Sequence, residues 1–350
     1  MKKITVKASG EYDVIVGTNL IADIAQHTAF IKPGSKIAII SDSNVWPLYG
    51  NKVADPLSSA GFQVTQFTFT AGEASKTADT YLNILNFLAK SQITRSDILI
   101  ALGGGVVGDI TGFAAATYLR GVAYIQIPTS LLAMVDSSVG GKTAIDLPAG
   151  KNLVGAFYQP CLVLCDLQTL NTLPSAYFQD GCAEIIKYGI LYDNILFKHL
   201  ETNHVHFDRD YVISRCIELK RDVVFEDEFD TGSRQKLNLG HTIGHSIEAQ
   251  SNFSISHGLA VAIGTAIIAK SAVTMGICSE QAYSRICQIL QDFSLPIKTT
   301  YSAEALTSVA LSDKKRFGNS VNLIMPEEIG HCIIHPVPIS QFQSTIEAGL

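Results

Sequence analysis

Ile98-Leu99-Ile100-Ala101-Leu102 is a continuous apolar run, and Gly103-Gly104-Gly105-Val106-Val107-Gly108 follows it directly. An uninterrupted apolar run of this length predicts a strand that is buried on both faces of a parallel sheet. The glycines match the pattern G-x-G-x-x-G and predict a tight turn that opens a helix. Such a turn lets backbone N–H groups approach a phosphate at the helix N-terminus. The stretch therefore predicts an α/β fold, and the glycines form either a nucleotide site or a plain tight turn.

Similar patterns precede and follow this unit in the first half of the chain. Runs that predict further strands lie at 4–6, 12–16, 36–40, 62–69 and 123–127. Strand patterns that alternate with helical ones predict a parallel sheet with helices on both faces. In such sheets, ligands bind beyond the carboxyl ends of the strands. The glycine motif departs from the usual Rossmann pattern, because the strand after it ends in Pro128-Thr129 and not in an acidic residue.

The second half of the chain has mainly helical patterns. Helices are predicted near 180–200, 208–227, 237–250, 258–276 and 279–293. A late hairpin is predicted at 321–325 and 332–334. We therefore expect an N-terminal α/β domain with a Rossmann-like parallel sheet over residues 1–165, and an all-α C-terminal domain over residues 166–350.

The composition excludes several classes of protein. Of 350 residues, 26 are basic, 32 are acidic and 47% are apolar, which leaves a net charge of −6. This apolar content excludes a disordered chain, and the negative charge disfavours a nucleic-acid partner. The most apolar segment, 258–269, is too short to span a bilayer. Seven cysteines without a CxxC pair indicate a reducing compartment, so we expect a cytoplasmic protein with no membrane partner.

Three of the nine histidines lie close together in the sequence. His241 and His245 are four residues apart, which places both imidazoles on one face of a helix, and His257 follows after a short loop. Three histidines, or two with a carboxylate, would hold a catalytic zinc ion and leave one coordination position open. The alternative is a set of capping or hydrogen-bonded core histidines.

A second glycine pair stands beside a lysine. Gly140-Gly141-Lys142-Thr143 resembles the end of a P-loop, but Asp136 occupies the position of the earlier glycine, so we reject an NTPase. Lys142 and Lys151 can still contact an oxyanion, and the alternative is that both are solvated surface charges.

Further cations lie in the second half of the chain. Lys187 follows Glu184 by three residues, a spacing typical of an ion pair on a helix surface. Lys220 and Arg234 precede the histidines, and Lys314-Lys315 lies near the end of the chain. An acidic protein that places basic residues there is expected to bind a small anion, and arginine suits a carboxylate or a phosphate.

Eight motifs, taken in order, resemble those of the 3-dehydroquinate synthase family within the sugar phosphate cyclases. They span about residues 36–320, and the ordered set is specific although each motif alone is modest. The motifs are Gly72-Glu73-Ala74-Ser75-Lys76, 103–109, Leu119-Arg120-Gly121, 135–143, 150–160, 181–189, 237–248 and His257-Gly258.

The resemblance implies an enzyme of the shikimate pathway that converts 3-deoxy-D-arabino-heptulosonate 7-phosphate to 3-dehydroquinate and phosphate. It implies NAD+ and a divalent metal, Zn²⁺ or Co²⁺, as cofactors. The implied reaction is a transient oxidation, β-elimination of phosphate, reduction, ring opening and an intramolecular aldol closure. A homodimer is also implied, in which Arg120 reaches the site of the neighbouring subunit.

The resemblance also assigns residues, all numbered as in this chain. It makes Glu184, His241 and His257 the metal ligands, so that His245 becomes a neighbour of the metal and not a ligand. The implied NAD-contacting positions are Asp42, Glu73, Lys76, Gly104, Gly105, Val106, Val107, Gly108, Asp109, Thr129, Ser130, Asp136, Lys142, Lys151, Thr169, Leu170, Asn171 and Thr172. The implied catalytic and substrate positions are Arg120, Lys142, Asn152, Lys187, Lys220, Arg234, Asn238, His245 and Lys314.

A few positions depart from the family pattern. Leu259 stands where a glutamate is common, Ser175-Ala176 where an arginine is common, Ser130 where threonine is common, and Cys182 where methionine is usual. None of these changes removes a ligand or a substrate cation.

Three other functions stay open from the sequence. They are another sugar phosphate cyclase of the inosose or valiolone type, a metal-dependent polyol dehydrogenase, and a non-enzymatic metal- or nucleotide-binding module. Arg234 favours the synthase, since the neutral sugars of the other cyclases have no carboxylate for it to pair with.

Overall fold

The computed structural model describes residues 1–312 and 319–350, and the chain forms two compact units. The sheet unit comprises Met1–Pro174 and Lys220–Phe229, and the helical unit comprises Ser175–Leu219 and Asp230–Leu350. The division after Pro174 differs from the expected one after residue 165, because the one-turn helix Leu167–Asn171 buries Leu170 within the sheet unit. The return of 220–229 to the sheet unit was not expected from the sequence.

The strands of the sheet unit include those predicted from the apolar runs. They are β1 (Lys2–Lys7), β2 (Glu11–Gly17), β3 (Lys36–Asp42), β4 (Gln63–Phe69), β5 (Ile98–Gly103), β6 (Tyr124–Pro128), β7 (Lys142–Leu147), β8 (Gly150–Phe157) and β9 (Leu162–Asp166). Seven of them form one sheet in the order β1-β2-β9-β6-β5-β3-β4. Only β1 and β2 pair antiparallel in this sheet, so the other neighbours have their carboxyl ends at the same edge. β7 and β8 form a separate antiparallel hairpin that the sequence did not predict.

Helices cover both faces of this sheet. They are α1 (Ile24–His27), α2 (Asn51–Ser59), α3 (Ala78–Lys90) and α4 (Gly105–Thr117). Alternate residues of β3 enter different clusters: Ile37 packs in the cluster that contains Leu57 of α2, and Ala38 in the cluster that contains Leu88 of α3. This two-sided burial confirms the predicted parallel sheet and explains why its strands read as continuous apolar runs.

The helical unit is built from long helices and one hairpin. The helices are α5 (Ser175–Tyr192), α6 (Asn194–Asn203), α7 (Arg209–Glu226, whose last residues belong to the sheet unit), α8 (His241–Gln250), α9 (His257–Thr274), α10 (Glu280–Asp292), α11 (Ala303–Ser312) and α12 (Ile339–Glu347). β10 (Ser320–Glu328) and β11 (His331–Pro338) pair antiparallel, so the unit is mostly helical and not all-α. Buried side chains from both strands, such as Leu323 and Val337, stabilise the hairpin.

Helix α9 corresponds to the helix predicted near 258–276, and it is apolar on all sides. By length and composition it could cross a membrane, but 72% of its most apolar window is buried inside the structure. Burial within the helical unit therefore accounts for its composition.

Candidate active site

Glu184, His241 and His257 bring their side chains together from three helices of the helical unit. Glu184 lies within α5, while His241 and His257 are the first residues of α8 and α9. One ligand atom from each residue lies within 4.8 Å of the others, and each histidine Nε2 is 3.4 Å from Oε1 of Glu184. Donors around a tetrahedral cation with bonds of about 2.1 Å are about 3.4 Å apart. The donor set and its spacing therefore fit one divalent cation.

Two glycines allow the helices to place these histidines. Gly240 has a φ of +75° and caps α8 in a left-handed conformation, so that the helix begins at His241. This break explains why the helix predicted over 237–250 starts later. Gly258 lies against α5, where a Cβ atom would be 2.3 Å from the Cα atom of Asp180. The first turns of α8 and α9 thus hold His241 and His257 near Glu184.

The other ring nitrogen of His241 and of His257, Nδ1, also has a hydrogen-bond partner. Nδ1 of His241 lies 3.0 Å from the carbonyl oxygen of Leu239, and Nδ1 of His257 lies 3.2 Å from Oε2 of Glu248. These oxygens accept hydrogen bonds, so Nδ1 donates in both rings. This arrangement is typical of metal-binding histidines, in which the other nitrogen faces the metal.

The charges around the rings differ. Burial, with the nearby Lys187 cation, holds the pKa of His241 well below its usual value, so this imidazole is neutral. Burial also opposes a charge on His257, but hydrogen bonds and attraction from Glu184 and Glu248 raise its pKa to about 10. The negative charges of Glu184 and Glu248 therefore favour a positive charge at this position, either on the His257 ring or on a bound cation.

Lys187 forms an ion pair with Oε2 of Glu184, and both side chains are almost fully buried, with exposures of 2% and 1%. The interpretation as an ion pair on a helix surface is therefore wrong. The cause is the position of α5, which is buried over residues 180–191. Cys182, which lies in the same helix, is a buried thiol, and burial raises its pKa.

The other predicted residues of the helical unit lie before or beside the histidines. The ring centroid of His245 is 5.5 Å from that of His241 and 6.0 Å from that of His257. Arg234 is buried in the short 3₁₀ helix Ser233–Asn238, which also contains Asn238 and precedes α8. Lys314 lies outside the described residues.

Two carboxylates near the cluster were missed from the sequence. Glu248 contacts His257, and Asp180 accepts hydrogen bonds from the Ser256 hydroxyl at 2.5 Å and from the Gly258 backbone N–H at 3.0 Å. Helical spacing could have found both. Glu248 is seven residues after His241, and Asp180 is four residues before Glu184, so each shares a helix face with a predicted ligand.

Four segments that contain predicted NAD-contacting residues lie at one edge of the seven-stranded sheet. Asp42 ends β3, 104–109 follow β5, Thr129-Ser130 follow β6, and 169–172 follow β9. Because these strands are parallel, the four segments meet at their carboxyl ends, where ligands of open α/β sheets bind. A cavity of about 550 Å³ also opens beside Thr169 and Thr172.

The glycine motif opens α4 as the sequence predicted. Gly104 is the extended N-cap residue, and within the described part of the chain no side chain caps this helix. The first N–H groups of a 13-residue helix, together with its dipole, suit the pyrophosphate of a dinucleotide. The donors at this position therefore fit NAD+.

Lys76 links three segments near this motif. Its side chain is only 4% exposed, and its Nζ lies 2.6 Å from Oδ2 of Asp109 and 2.5 Å from Oδ1 of Asn152. Burial lowers the pKa of Lys76, but the carboxylates of Asp109 and Glu73 raise it by more, so the lysine stays charged. Glu73 also pairs with Lys151 at 3.5 Å. The loop after β4 is thereby tied to α4 and to the β7–β8 hairpin.

Lys220 contacts the segment before the second glycine pair. Its Nζ lies 2.7 Å from Oδ1 and 2.6 Å from the carbonyl oxygen of Asp136. Gly140 and Gly141 then turn the chain into β7, which begins at exposed Lys142. A P-loop lysine opens a helix, so this geometry agrees with the rejection of an NTPase.

Arg120 is exposed at the surface of the sheet unit. Leu119, Arg120 and Gly121 have φ values of +52°, +65° and +125°. Such a conformation is costly for residues with side chains, and costly conformations concentrate at functional sites.

Known proteins resemble this chain over nearly its whole length. The model of the 3-dehydroquinate synthase N-terminal region matches residues 66–180, and that of the C-terminal region matches 181–316. A 3-dehydroquinate synthase of Clostridium acetobutylicum is 43% identical over 332 residues, covering 93% of each chain. One of Vibrio atlanticus is 41% identical over 358 residues, covering 99% of each. A 2-deoxy-scyllo-inosose synthase, solved with carbaglucose-6-phosphate, NAD+ and Co²⁺, superposes with a TM-score of 0.89 at 26% identity and covers all of both chains.

Proposed function

Because the chain belongs to the 3-dehydroquinate synthase family, we propose that its sheet unit binds NAD+ and its helical unit binds a divalent cation and much of the substrate. The activity is the conversion of 3-deoxy-D-arabino-heptulosonate 7-phosphate to 3-dehydroquinate and phosphate, a carbon–oxygen lyase reaction of the shikimate pathway. NAD+ and a divalent metal are its cofactors. The observation that carries the assignment of residues is the convergence of Glu184, His241 and His257.

Glu184, His241 and His257 would hold the metal, Zn²⁺ or Co²⁺. One carboxylate oxygen and two imidazole nitrogens leave coordination positions for substrate oxygens. When bound, the metal acts as a Lewis acid that polarises the hydroxyl to be oxidised and orients the sugar. Lys187 holds the other oxygen of Glu184 and keeps Oε1 directed at the histidines.

NAD+ would bind along the carboxyl edge of the sheet. The N–H groups of 104–108 suit its pyrophosphate, and Asp42 and 169–172 suit its polar ends. When bound, it would supply reversible hydride transfer, with no net consumption over a turnover. Lys76, which is charged, forms an ion pair with Asp109 and a hydrogen bond with Asn152, and it fixes the loop of Glu73 beside this edge.

Basic residues would hold the two anionic groups of the substrate. In the helical unit, Arg234 suits the carboxylate because its planar guanidinium can donate two parallel hydrogen bonds, and Lys187, Asn238 and His245 are further contacts. In the sheet unit, the proposed substrate contacts are Lys142, Asn152 and Lys220. Lys314 is proposed as a further substrate contact from the family pattern alone. Lysine charges stabilise the departing phosphate during the elimination.

We also propose a cytoplasmic homodimer with no nucleic-acid or membrane partner. The support is the net charge of −6 and the absence of CxxC pairs among seven cysteines. Arg120 would reach the site of the neighbouring subunit, and its exposed, left-handed backbone supports this role.

One assay tests the proposed function. Purified protein with NAD+, Zn²⁺ and the heptulosonate phosphate is expected to release phosphate without net formation of NADH. Stoichiometric NADH would instead indicate a polyol dehydrogenase. Turnover of glucose 6-phosphate or sedoheptulose 7-phosphate, with none of the heptulosonate phosphate, would indicate another sugar phosphate cyclase.

A further inference from the structure

We propose that Glu248 is a positioning residue of the metal site, which orients His257 through Nδ1 and thereby sets the affinity of the chain for its cation. The inference rests on the proposed metal site and extends it to a residue outside the ligand set. It starts from the 3.2 Å contact between Nδ1 of His257 and Oε2 of Glu248.

Glu248 occupies a position from which it cannot easily move. Its side chain is 3% exposed, and it lies in α8, two turns after His241 and on the same helix face. The same helix therefore carries one ligand, His241, and the residue that holds another ligand, His257. A carboxylate fixed in this way can only accept a hydrogen bond from the ring, which places the proton on Nδ1 and directs Nε2 toward Glu184.

His257 needs such a restraint more than the other ligands. Its side chain is 32% exposed, compared with 13% for His241 and 1% for Glu184. A partly exposed ring is less confined by packing, so a hydrogen bond contributes more to its orientation. His241 is held by the carbonyl oxygen of Leu239, which no side-chain substitution removes. Of the two hydrogen bonds that hold the histidine rings at Nδ1, only the one from His257 to Glu248 can therefore be removed by a side-chain substitution.

One alternative role must be separated from positioning. Atoms of His245, Glu248 and His257 also lie within 4.8 Å of one another, as a second set of donors. If Glu248 were a ligand of a second cation there, the wild-type chain would bind two equivalents of metal. If Glu248 is instead a positioning residue, it contacts Nδ1 of His257, on the side of the ring away from the cation, and the chain binds one equivalent of metal.

The experiment measures Zn²⁺ stoichiometry and affinity by competition with a chromophoric chelator. The variants are Glu248→Gln, which keeps an oxygen acceptor, and Glu248→Ala, which removes it. The matched control is Glu201→Gln, because Glu201 lies in the same unit and pairs with Arg285 at 2.7 Å and not with a histidine. Far-ultraviolet circular dichroism and NAD+ affinity check that each variant is folded.

We expect one equivalent of zinc in the wild type, with affinity weakened about 10- to 100-fold in Glu248→Ala and less in Glu248→Gln. Glu201→Gln should bind zinc like the wild type. Equal affinities in the wild type and folded Glu248→Ala would overturn the positioning role alone. Two wild-type equivalents that fall to one in Glu248→Ala would make Glu248 a ligand and also overturn it. If the wild type binds no zinc, the proposed metal site itself fails.

Discussion

Asp180 accepts a hydrogen bond of 3.0 Å from the backbone N–H of Gly258, so a carboxylate of α5 caps the helix that begins at His257. The same contact requires glycine, since a Cβ atom at residue 258 would lie 2.3 Å from the Cα atom of Asp180. The two residues of the His257-Gly258 pair therefore act together in placing the start of α9. The histidine is a proposed ligand, and the glycine lets α9 approach α5, which carries Glu184.

Gly258→Ala tests this close approach. The added methyl group meets backbone atoms that cannot move alone, so we expect about 3 kcal/mol of lost stability and weaker metal binding. Gly10→Ala is the control, because the atom nearest to its added Cβ is 3.9 Å away and its cost should stay within about 0.5 kcal/mol. Urea unfolding of both variants measures the difference. Equal midpoints for the two variants would show that α9 can shift freely.

Lys76→Met tests the buried charge beside the glycine motif. It leaves the Asp109 carboxylate without its 2.6 Å partner, and an unpaired buried charge costs about 3 kcal/mol. NAD+ affinity should also fall, because the loop of Glu73 loses its attachment. Lys3→Met is the matched control, since Lys3 pairs with Asp13 at an exposed site and should cost less than about 1 kcal/mol. Thermal unfolding and NAD+ titration measure both effects, and similar losses in the two variants would argue against a special role for Lys76.

Asp193→Asn tests a pH-dependent contact of the helical unit. Burial alone would raise the pKa of Asp193, but hydrogen bonds from Leu196 N–H and the Arg215 guanidinium hold it below its usual value. A carboxylate with a lowered folded pKa contributes stability above about pH 4 and loses it as the pH falls through the folded pKa. We expect the variant to be about 1 kcal/mol less stable at pH 7 and to approach the wild type near pH 3. Urea unfolding at both pH values measures this, and a constant difference would contradict it.

Mixing two inactive variants tests the role of Arg120 in a dimer. If Arg120 acts in the neighbouring subunit, a heterodimer of Arg120→Ala and Lys187→Ala contains one intact site. After dissociation and random reassociation, about a quarter of the wild-type activity should return. Phosphate release from the mixture measures it, with each variant incubated alone as the control. No recovery from a mixture shown to exchange subunits would place Arg120 in its own site.

Much of the sheet unit could be predicted from the sequence, because its signals are local. Continuous apolar runs such as 98–102 need burial on both faces, and the glycines after them need a tight turn. The β7–β8 hairpin was missed because β8 is largely exposed and has no alternating pattern. The return of 220–229 to the sheet unit was missed for another reason. It depends on long-range contacts such as that between Lys220 and Asp136, which no local pattern contains.

The proposed metal site was only partly predictable from the sequence, because it too depends on long-range contacts. The i, i+4 spacing of His241 and His245 suggested that both were ligands, whereas the structure directs Nε2 of His241 and of His257 at Glu184, which is 57 residues before His241. Spacing finds residues on one helix face but cannot choose among faces of different helices. The family motifs supplied Glu184, and the structure added Asp180 and Glu248.

The metal content of His257→Ala tests the central assignment most directly. Its side chain is 32% exposed, so the substitution should leave the fold intact. Equilibrium dialysis against Zn²⁺ is expected to show one bound equivalent in the wild type and none in the variant, while NAD+ affinity stays unchanged. A folded variant that retains one equivalent of zinc at wild-type affinity would contradict the assignment of Glu184, His241 and His257 as the metal site.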